Sequence, residues 1–275
     1  MQSPHEALPI AVEIARAAGT VLADGFAGGP AAVLGNRHGA ASKQAEFDLV
    51  TEFDRRAEAL LVSRLAQAFP NDAVIAEEGG GHAGRDAIWY VDPLDGTTNF
   101  AHGLPFFAVA LGRVVDGKPD VGVVHAPALD LTFTATRGGG AFCNAKQLHV
   151  STADTLDRAM LGTGFPSDRQ HSPDTNFAQF EAVKMRARAV RRYGSSALDQ
   201  AMVAAGTFDG FWEMKLKAWD LAAGSLLVEE AGGTATGWLG ESLSLTRGAV
   251  VASNGRIHSE LLAVLAGAGI PNAVR

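Results

Sequence analysis

Two carboxylates flank a proline in residues 91–100, which read VDPLDGTTNF. Asp92 and Asp95 lie three positions apart, and a second acidic pair, Glu77 and Glu78, stands upstream. Asp, Pro, Gly and Asn are also the residues that surface turns select, so the composition alone leaves a plain turn open. If the acids converge instead, two carboxylates about 4 Å apart repel by roughly 4 kcal/mol at an effective dielectric of 20. Such a cluster either takes up protons or binds a cation.

Two short apolar segments are predicted to be the strands that bring these acids together. Residues 73–76 (AVIA) and 88–91 (IWYV) read as buried strands separated by a glycine-rich loop. If the strands are adjacent and leave the sheet in the same direction, Glu77 and Asp92 emerge side by side.

The proline sets the path of the chain after the second strand. Pro93 disfavours helical backbone at Asp92, and a turn across Pro93 and Leu94 would bring Asp95 back toward Asp92. Three carboxylates would then face one point. Oxygen ligands without His or Cys select hard ions, with Mg²⁺ first and Mn²⁺ or Ca²⁺ as competitors. Four histidines show none of the ligand spacings of a zinc site: His102, His125, His149 and His258.

The residues after Asp95 read as the opening of a helix. At Gly96, Thr97 and Thr98, free backbone N–H groups and the helix dipole would attract an anion such as phosphate, and glycine lets the backbone approach closely. Plain helix capping by the threonines is the alternative. A cation on one side and amides on the other is an arrangement suited to phosphate ester hydrolysis.

The remaining pattern predicts an α/β protein with two lobes. A capping box opens a helix at Ser3, a second helix covers residues 51–68, and β-rich segments between 106 and 136 suggest an antiparallel meander. Residues 25–41 look like a loop or a weak strand pair. From about residue 150 strands alternate with helices, which favours an α/β layer. We expect an α+β N-terminal lobe over residues 1–150 with most metal ligands, and an α/β C-terminal lobe over residues 151–275.

Composition limits the classes of partner. The 275 residues are 47% hydrophobic and 19% charged, as in globular proteins, and the formal charge of -7 gives no overall bias toward nucleic acid or anionic membranes. The lone Cys143 excludes an internal disulfide, and no signal peptide or membrane span is recognisable. A soluble, cytoplasmic protein is therefore expected. The densest basic stretch, residues 184–192, is interpreted as a solvated helix end or an interface.

Several separated motifs, in order along the chain, resemble the inositol monophosphatase family of Mg²⁺-dependent, lithium-sensitive phosphatases. They are Lys43, residues 48–54, residues 76–78, residues 91–100, residues 194–196, Glu213 and residues 219–224. The resemblance implies a layered α/β/α/β/α sandwich of the sugar phosphatase type, usually a homodimer, that binds two to three Mg²⁺ ions per subunit.

The resemblance also implies the metal ligands. Glu77, Asp92 and the carbonyl of Leu94 would hold the first Mg²⁺, while Asp92, Asp95 and Asp220 would hold the second. A third, weaker ion would lie near Glu77, and Mn²⁺ could substitute. Gly79 departs from the family pattern, which usually has Ser or Thr after the Glu pair. We expect this difference to loosen the loop and weaken the third ion site.

Catalytic and substrate-binding roles follow from the same resemblance. Thr97, hydrogen-bonded to Asp54, would orient and activate the attacking water, with Glu77 completing the catalytic set. Asp54 also completes a capping pattern with Thr51 at the start of the second helix, so helix capping is its alternative role. The amides of Gly96 and Thr97 would hold the phosphate, and Glu213 would bind hydroxyls of a cyclitol. The remaining substrate-binding candidates are Asp95, Thr98, Ser195, Ser196 and Asp220.

The implied activity is hydrolysis of inositol monophosphate or a close polyol phosphate. Residues 98–100 with Glu213 and the serine pair at 195 and 196 favour inositol phosphate. Related folds act on fructose 1,6-bisphosphate, histidinol phosphate, adenosine bisphosphate or NADP, which stay open. A regulatory protein that keeps the fold but works through a partner surface, with residues 184–192 as the candidate surface, is the alternative of another class.

Overall fold

The first helix begins at the capping box that the sequence predicts. A computed structural model describes residues 2–29, 41–42, 49–84 and 86–274, so Lys43 and Asp48 lie outside the described residues. In α1 (Pro4–Ala27), the Ser3 hydroxyl oxygen accepts the Glu6 N–H, and the Glu6 carboxylate accepts the Ser3 N–H at 2.9 Å. The helix continues to Ala27, so the loop predicted from residue 25 was wrong for its first three residues.

The second helix has a buried face that carries charge. α2 (Glu52–Ala68) begins with a capping box between Thr51 and Asp54, as its sequence predicts. Its buried face combines two acids with three apolar residues: Asp54, Ala57, Glu58, Leu61 and Leu65. Acids on the core side of a helix need partners, which the site below supplies. Just before α2, the short strands β1 (Ala41–Ser42) and β2 (Leu49–Val50) pair antiparallel.

The N-terminal half builds an eight-stranded sheet, in the order β10-β9-β8-β7-β6-β5-β3-β4. Its strands are β3 (Ala73–Ala76), β4 (Gly81–His82), β5 (Ile88–Asp95), β6 (Ala108–Val115), β7 (Lys118–Ala126), β8 (Leu131–Thr136), β9 (Gly140–Cys143) and β10 (Lys146–Gln147). β6, β7 and β8 form the predicted antiparallel meander, which β5, β9 and β10 extend. β3 pairs parallel with β5, so the condition set for bringing Glu77 beside Asp92 is met. The short strands β4, β9 and β10 were not predicted.

The C-terminal half builds a five-stranded sheet, in the order β12-β11-β13-β15-β14. Its strands are β11 (Met160–Thr163), β12 (Ala189–Arg191), β13 (Gly210–Met214), β14 (Thr234–Thr236) and β15 (Ala249–Ser253). β11, β12 and β13 run parallel, whereas β15 runs antiparallel to its neighbours, so the sheet is mixed. The other helices are α3 (Thr97–Ala101), α4 (Phe177–Lys184), α5 (Ser196–Ala204), α6 (Ala218–Glu230) and α7 (His258–Gly267).

The layers follow from three apolar clusters. One joins α1 and α2 to the outer face of the large sheet, and a second fills the space around α5 and α6, between the two sheets. The third packs the far face of the small sheet against α4 and α7. The order is therefore helix, sheet, helix, sheet, helix, which confirms the predicted α/β sandwich. A division of the chain near residue 150 stays a prediction.

α6 lies unusually close to the large sheet. A Cβ atom on Gly112 of β6 would stand 2.4 Å from the Ala222 Cβ, and one on Gly122 of β7 would stand 2.9 Å from the Ala223 carbonyl oxygen. Residues 221–228 of α6 are all buried, as expected for a helix that packs on both sides. Within the described part of the chain, we find no helix long and apolar enough to cross a membrane.

Candidate active site

Asp92 and Asp95 lie on one strand with a bulge between them. Asp92 pairs with Ala110 of β6 and Asp95 with Ala108, so three steps along β5 match two along β6. The extra residue makes a β-bulge, a feature that re-aims side chains and that accommodates Pro93 within a sheet. The predicted turn across the proline was therefore wrong in form, since β5 runs on to Asp95.

Three carboxylates converge on one point between the two sheets. One oxygen from each of Asp92, Asp95 and Asp220 lies within 4.8 Å of the others. Asp220 comes from the first turn of α6, where its Oδ2 accepts the Lys217 N–H at 2.6 Å. Because that N–H is one of the groups a helix start leaves unpaired, the bond holds the carboxylate in place.

Glu77 joins the same group from the neighbouring strand. It follows β3, and its N–H donates to the Val91 carbonyl at 3.2 Å, so it lies beside Asp92. Burial raises the pKa of Asp92 well above its usual value, and the charges of Glu77, Asp95 and Asp220 and a hydrogen bond with Glu77 raise it further. The group therefore carries more negative charge than it can hold without protons or a cation.

The other two carboxyls show the same excess. Burial raises the pKa of Asp95 to about 6 against hydrogen bonds that lower it. Burial, followed by the charges of Asp95 and Glu77, raises the pKa of Asp220 well above its usual value. An all-oxygen donor set of this charge fits a hard divalent cation, which would remove the repulsion that the protons otherwise offset.

Asp95 is fixed by the start of α5. It accepts the Ser195 hydroxyl at 2.8 Å and the N–H groups of Ser196 at 3.1 Å and Ala197 at 2.7 Å. A carboxylate at a helix N-terminus satisfies the unpaired amides and interacts favourably with the dipole. Ser195 and Ser196 therefore position a candidate metal ligand, and their predicted contact with substrate stays a prediction.

Thr97 bridges the cluster and α2. Its hydroxyl oxygen lies 3.1 Å from the Asp54 Oδ1 and 3.0 Å from the Leu94 carbonyl oxygen. The single hydroxyl proton can serve one of these acceptors at a time. The other Asp54 oxygen accepts the Thr51 N–H at 2.8 Å. Asp54 therefore makes both the capping contact with Thr51 and the contact with Thr97 that the catalytic role would need.

The segment after Asp95 is held against the loop before α5. Gly96 has a φ of +96°, and a Cβ atom there would lie 3.0 Å from the Phe106 carbonyl oxygen and 3.3 Å from that of Gly194. The Asn99 amide donates to the carbonyls of Phe106 and Tyr193 at 2.7 Å each. Only glycine fits this left-handed, crowded position without strain, and the backbone of α3 is thereby placed beside Asp95.

Glu213 lies on β13, where a second wall of the site begins. A Cβ atom on Gly164 would overlap the Glu213 carboxylate, so the glycine backbone lies directly against it. Burial, together with the charge of Asp95, raises the pKa of Glu213 to about 8, while Arg192 lowers it. Sequence reasoning missed Arg192, because it belongs to the basic stretch that was interpreted as a helix end or an interface.

Glu58 is a further residue that sequence reasoning missed. Its carboxylate accepts the N–H groups of Glu78 at 2.6 Å and Gly80 at 2.8 Å, and so shapes the loop that carries Glu77. The available signal was its position four residues after Asp54, on the apolar face of α2. An acid there is buried and must have a partner.

Two neighbouring residues of α5 were also missed. The Gln200 amide donates to the carbonyls of Ser196 at 3.0 Å and Asp220 at 2.9 Å, and so joins α5 to α6. Asp199 is buried, its Oδ1 has no hydrogen-bond partner among the residues that the structure describes, and burial raises its pKa well above the usual value. In sequence both look like ordinary polar helix residues.

The structure brings most of the predicted site residues together. Those around the convergence point are Glu77, Asp92, Leu94, Asp95, Gly96, Thr97, Asp54, Ser195, Ser196 and Asp220. Glu213 interacts electrostatically with Asp95 from the opposite sheet. Thr98 is exposed, and its carbonyl oxygen lies 2.9 Å from the His102 Nδ1.

Comparisons with known proteins agree with this arrangement. Residues 3–268 match the profile of the inositol monophosphatase family. The Nus factor SuhB of Salmonella typhimurium is 42% identical over 261 residues, covering 94% of this chain and 95% of that protein. An inositol-1-monophosphatase of Synechocystis sp. is 42% identical over 221 residues, covering 80% and 77%. The solved inositol monophosphatase of Anabaena (Nostoc) sp. superposes with a TM-score of 0.84 at 37% identity, covering 96% of each chain.

Proposed function

This chain belongs to the inositol monophosphatase family, and from that premise we propose that it is a Mg²⁺-dependent phosphomonoesterase acting on inositol monophosphate or a close polyol phosphate. The observation that carries the proposal is the convergence of Asp92, Asp95 and Asp220, with Glu77 beside Asp92. The family premise supports a phosphatase, and the all-oxygen donor set supports Mg²⁺.

The proposed ligands divide between two main ion positions. Glu77, Asp92 and the Leu94 carbonyl would hold one ion, and Asp92, Asp95 and Asp220 the other, with a third, weaker position near Glu77. Bound Mg²⁺, or Mn²⁺ in its place, supplies a water of lowered pKa and offsets negative charge on the phosphate and the leaving oxygen. Strand β5 and the hydrogen bonds at the starts of α5 and α6 hold these carboxylates in place.

The protein's own residues would orient the attacking water, the phosphate and the alcohol part of the substrate. Thr97, in contact with Asp54, would align the attacking water in line with the leaving oxygen, without a phosphoenzyme. The amides of Gly96 and Thr97 would receive the phosphate. Because its pKa is raised, Glu213 can donate a hydrogen bond to a cyclitol hydroxyl or accept one from it. The charge of Arg192 acts on the Glu213 carboxyl.

A phosphate-release assay on purified protein tests the proposal. It compares inositol 1-phosphate, fructose 1,6-bisphosphate, histidinol phosphate and adenosine bisphosphate, each with Mg²⁺ and with a chelator. We expect the highest kcat/KM for inositol 1-phosphate and no turnover with the chelator. No release from any ester with Mg²⁺ or Mn²⁺ present contradicts the enzyme proposal, while preference for another ester changes only the substrate.

Metal addition should stabilise the fold. Mg²⁺ at about 100 times its Kd adds ~2.7 kcal/mol to the free energy of unfolding if it binds only the folded chain. For a chain of this size that gain raises Tm by roughly 5–10 °C. Thermal denaturation with and without Mg²⁺ measures it, with NaCl at matched ionic strength as the control. A Tm that responds equally to both salts argues against a specific site.

A second candidate function is regulation through a protein or nucleic-acid partner. It is favoured by the 42% identity to a Nus factor, by the basic residues 184–192 and by Met185, which is 80% exposed. A variant without phosphatase activity that still supports partner-dependent function in cells would favour the regulatory role as a separate one.

We also propose that the protein is a cytoplasmic homodimer, on the family premise.

A further inference from the structure

A loop beside Glu213 is closed at its base into a compact unit. This strap, residues 165–175, connects β11 to α4 and begins next to Gly164, the glycine whose backbone lies against the Glu213 carboxylate. At its far end the Asn176 amide donates to the Thr163 hydroxyl at 2.9 Å and to the Gly164 carbonyl at 2.6 Å. Both ends of the strap therefore meet at one buried point, as in a compact surface loop.

The base of the strap is also tied to the strand that carries Glu213. The Trp212 indole N–H donates to the Asn176 Oδ1 at 2.8 Å, and the Thr163 hydroxyl donates to the Trp212 carbonyl at 2.8 Å. Trp212 is fully buried and directly precedes Glu213. The position of the strap's ends is therefore set by the same strand as the Glu213 carboxylate.

An ion pair holds the middle of the strap. The Lys215 ammonium lies 2.9 Å and 2.7 Å from the two Asp168 oxygens and 2.7 Å from the Ser172 hydroxyl. The ammonium has three N–H groups, and all three of these contacts go to the strap. Lys215 has a φ of +61°, a left-handed conformation that costs a non-glycine residue about 1 kcal/mol and persists where surrounding contacts determine it.

The position of Lys215 in the chain relates the ion pair to the proposed site. It stands two residues after Glu213 and five before Asp220, on the segment that joins the cyclitol-binding candidate to a metal-ligand candidate. If Glu213 binds the hydroxyls of a cyclitol, the strap, which begins next to Gly164 at the Glu213 carboxylate, would lie on the alcohol side of the site. A ring extends farther from the phosphate than a small alcohol does, so the ring is the substrate part that would meet the strap.

We infer that the strap is a specificity-determining rim and that Lys215 is a positioning residue that holds it, through Asp168, against the alcohol side of the site. The inference rests on the proposed phosphatase function and adds residues that act on substrate size. It predicts a change in KM for a ring-sized ester, with kcat and the KM of a small ester unaffected.

Steady-state kinetics with Mg²⁺ on inositol 1-phosphate and glycerol 2-phosphate test it. In Asp168→Asn and Lys215→Met we expect KM for inositol 1-phosphate to rise about fivefold, the ratio that corresponds to an ion pair worth ~1 kcal/mol. The KM of glycerol 2-phosphate and both kcat values should stay within twofold. Lys215→Arg, which keeps the charge, should restore the wild-type ratio of the two KM values.

A matched control and a second measurement separate the outcomes. Asp154→Asn removes an exposed pair with Arg158 at 3.3 Å and should change neither ester. Trypsin should cleave after Arg169 in the strap several times faster in Lys215→Met than in wild type, because this variant breaks the ion pair and leaves the sequence around the cleavage site unchanged. Equal cleavage rates would show that the ion pair does not hold the strap. Faster cleavage with an unchanged ratio of the two KM values would refute the role of the strap in specificity. A wild type that is inactive on these two esters but releases phosphate from another overturns the inference alone, whereas a wild type inactive on every ester overturns the proposed function as well.

Discussion

Replacement of Asp92 by Asn is expected to lower kcat/KM for phosphate release by about a thousandfold, ~4 kcal/mol of transition-state stabilisation. Asp92 is the carboxylate that the proposed assignment shares between both main ion positions. The substitution removes one negative charge with almost no change in volume. Phosphate release at saturating Mg²⁺ measures the effect, and a rate equal to wild type would refute the metal assignment.

The fold of this variant supplies the control. Since Asp92 is buried beside three other acids, the Asp92→Asn protein should melt at or above the wild-type temperature without metal.

Asp95→Asn is a poorer test, although Asp95 is also a proposed ligand. Asp95 accepts three hydrogen bonds from the start of α5, and an Asn amide would direct N–H groups at those donors. Its loss of activity would therefore mix metal binding with displacement of α5.

Replacement of Thr97 by Val is expected to lower kcat by about a hundredfold, ~2.7 kcal/mol, with little change in KM. Valine keeps the shape of the side chain but removes the hydroxyl that contacts Asp54 and the Leu94 carbonyl. Orientation of the attacking water would be lost, while the carboxylates keep their positions. Single-turnover and steady-state rates on the preferred ester measure the loss.

Two further variants make this test decisive. Asp54→Asn should give a similar loss, and the double variant should lose little more, because the two residues would act as one unit. Thr20→Val removes a comparable hydroxyl contact, to the Arg16 carbonyl at 3.1 Å on the exposed face of α1, and should leave kcat unchanged. A Thr97→Val enzyme with normal kcat would remove the threonine from the proposed mechanism.

Local pattern was sufficient for the parts of the site that depend on strand ends and helix starts. Glu77 after β3 and Asp92 on β5 could be expected side by side once the two apolar runs were taken as adjacent parallel strands. The capping box at Thr51 predicted the start of α2, and with it the place of Asp54. These inferences use contacts within a few residues along the chain.

The rest depended on contacts that no local pattern encodes. The bulge at Pro93 exists only in the register between β5 and β6, and the sequence alone favoured a turn. The contact of Ser195 with Asp95 joins residues 100 positions apart. Arg192 looked like part of a charged surface, and the partners of Glu58 lie about 20 positions away on another element. Such choices are settled by packing and burial.

The close packing of α6 on the large sheet has a consequence for how the protein is made. Asp220 reaches the other carboxylates only because α6 lies against Gly112 and Gly122. When the whole large sheet has emerged from the ribosome but α6 has not, the chain therefore still lacks Asp220, one of the proposed ion ligands. On that assignment, affinity for Mg²⁺ should arise late in synthesis, when α6 leaves the exit tunnel and docks, and ion binding by stalled chains of increasing length would time that event.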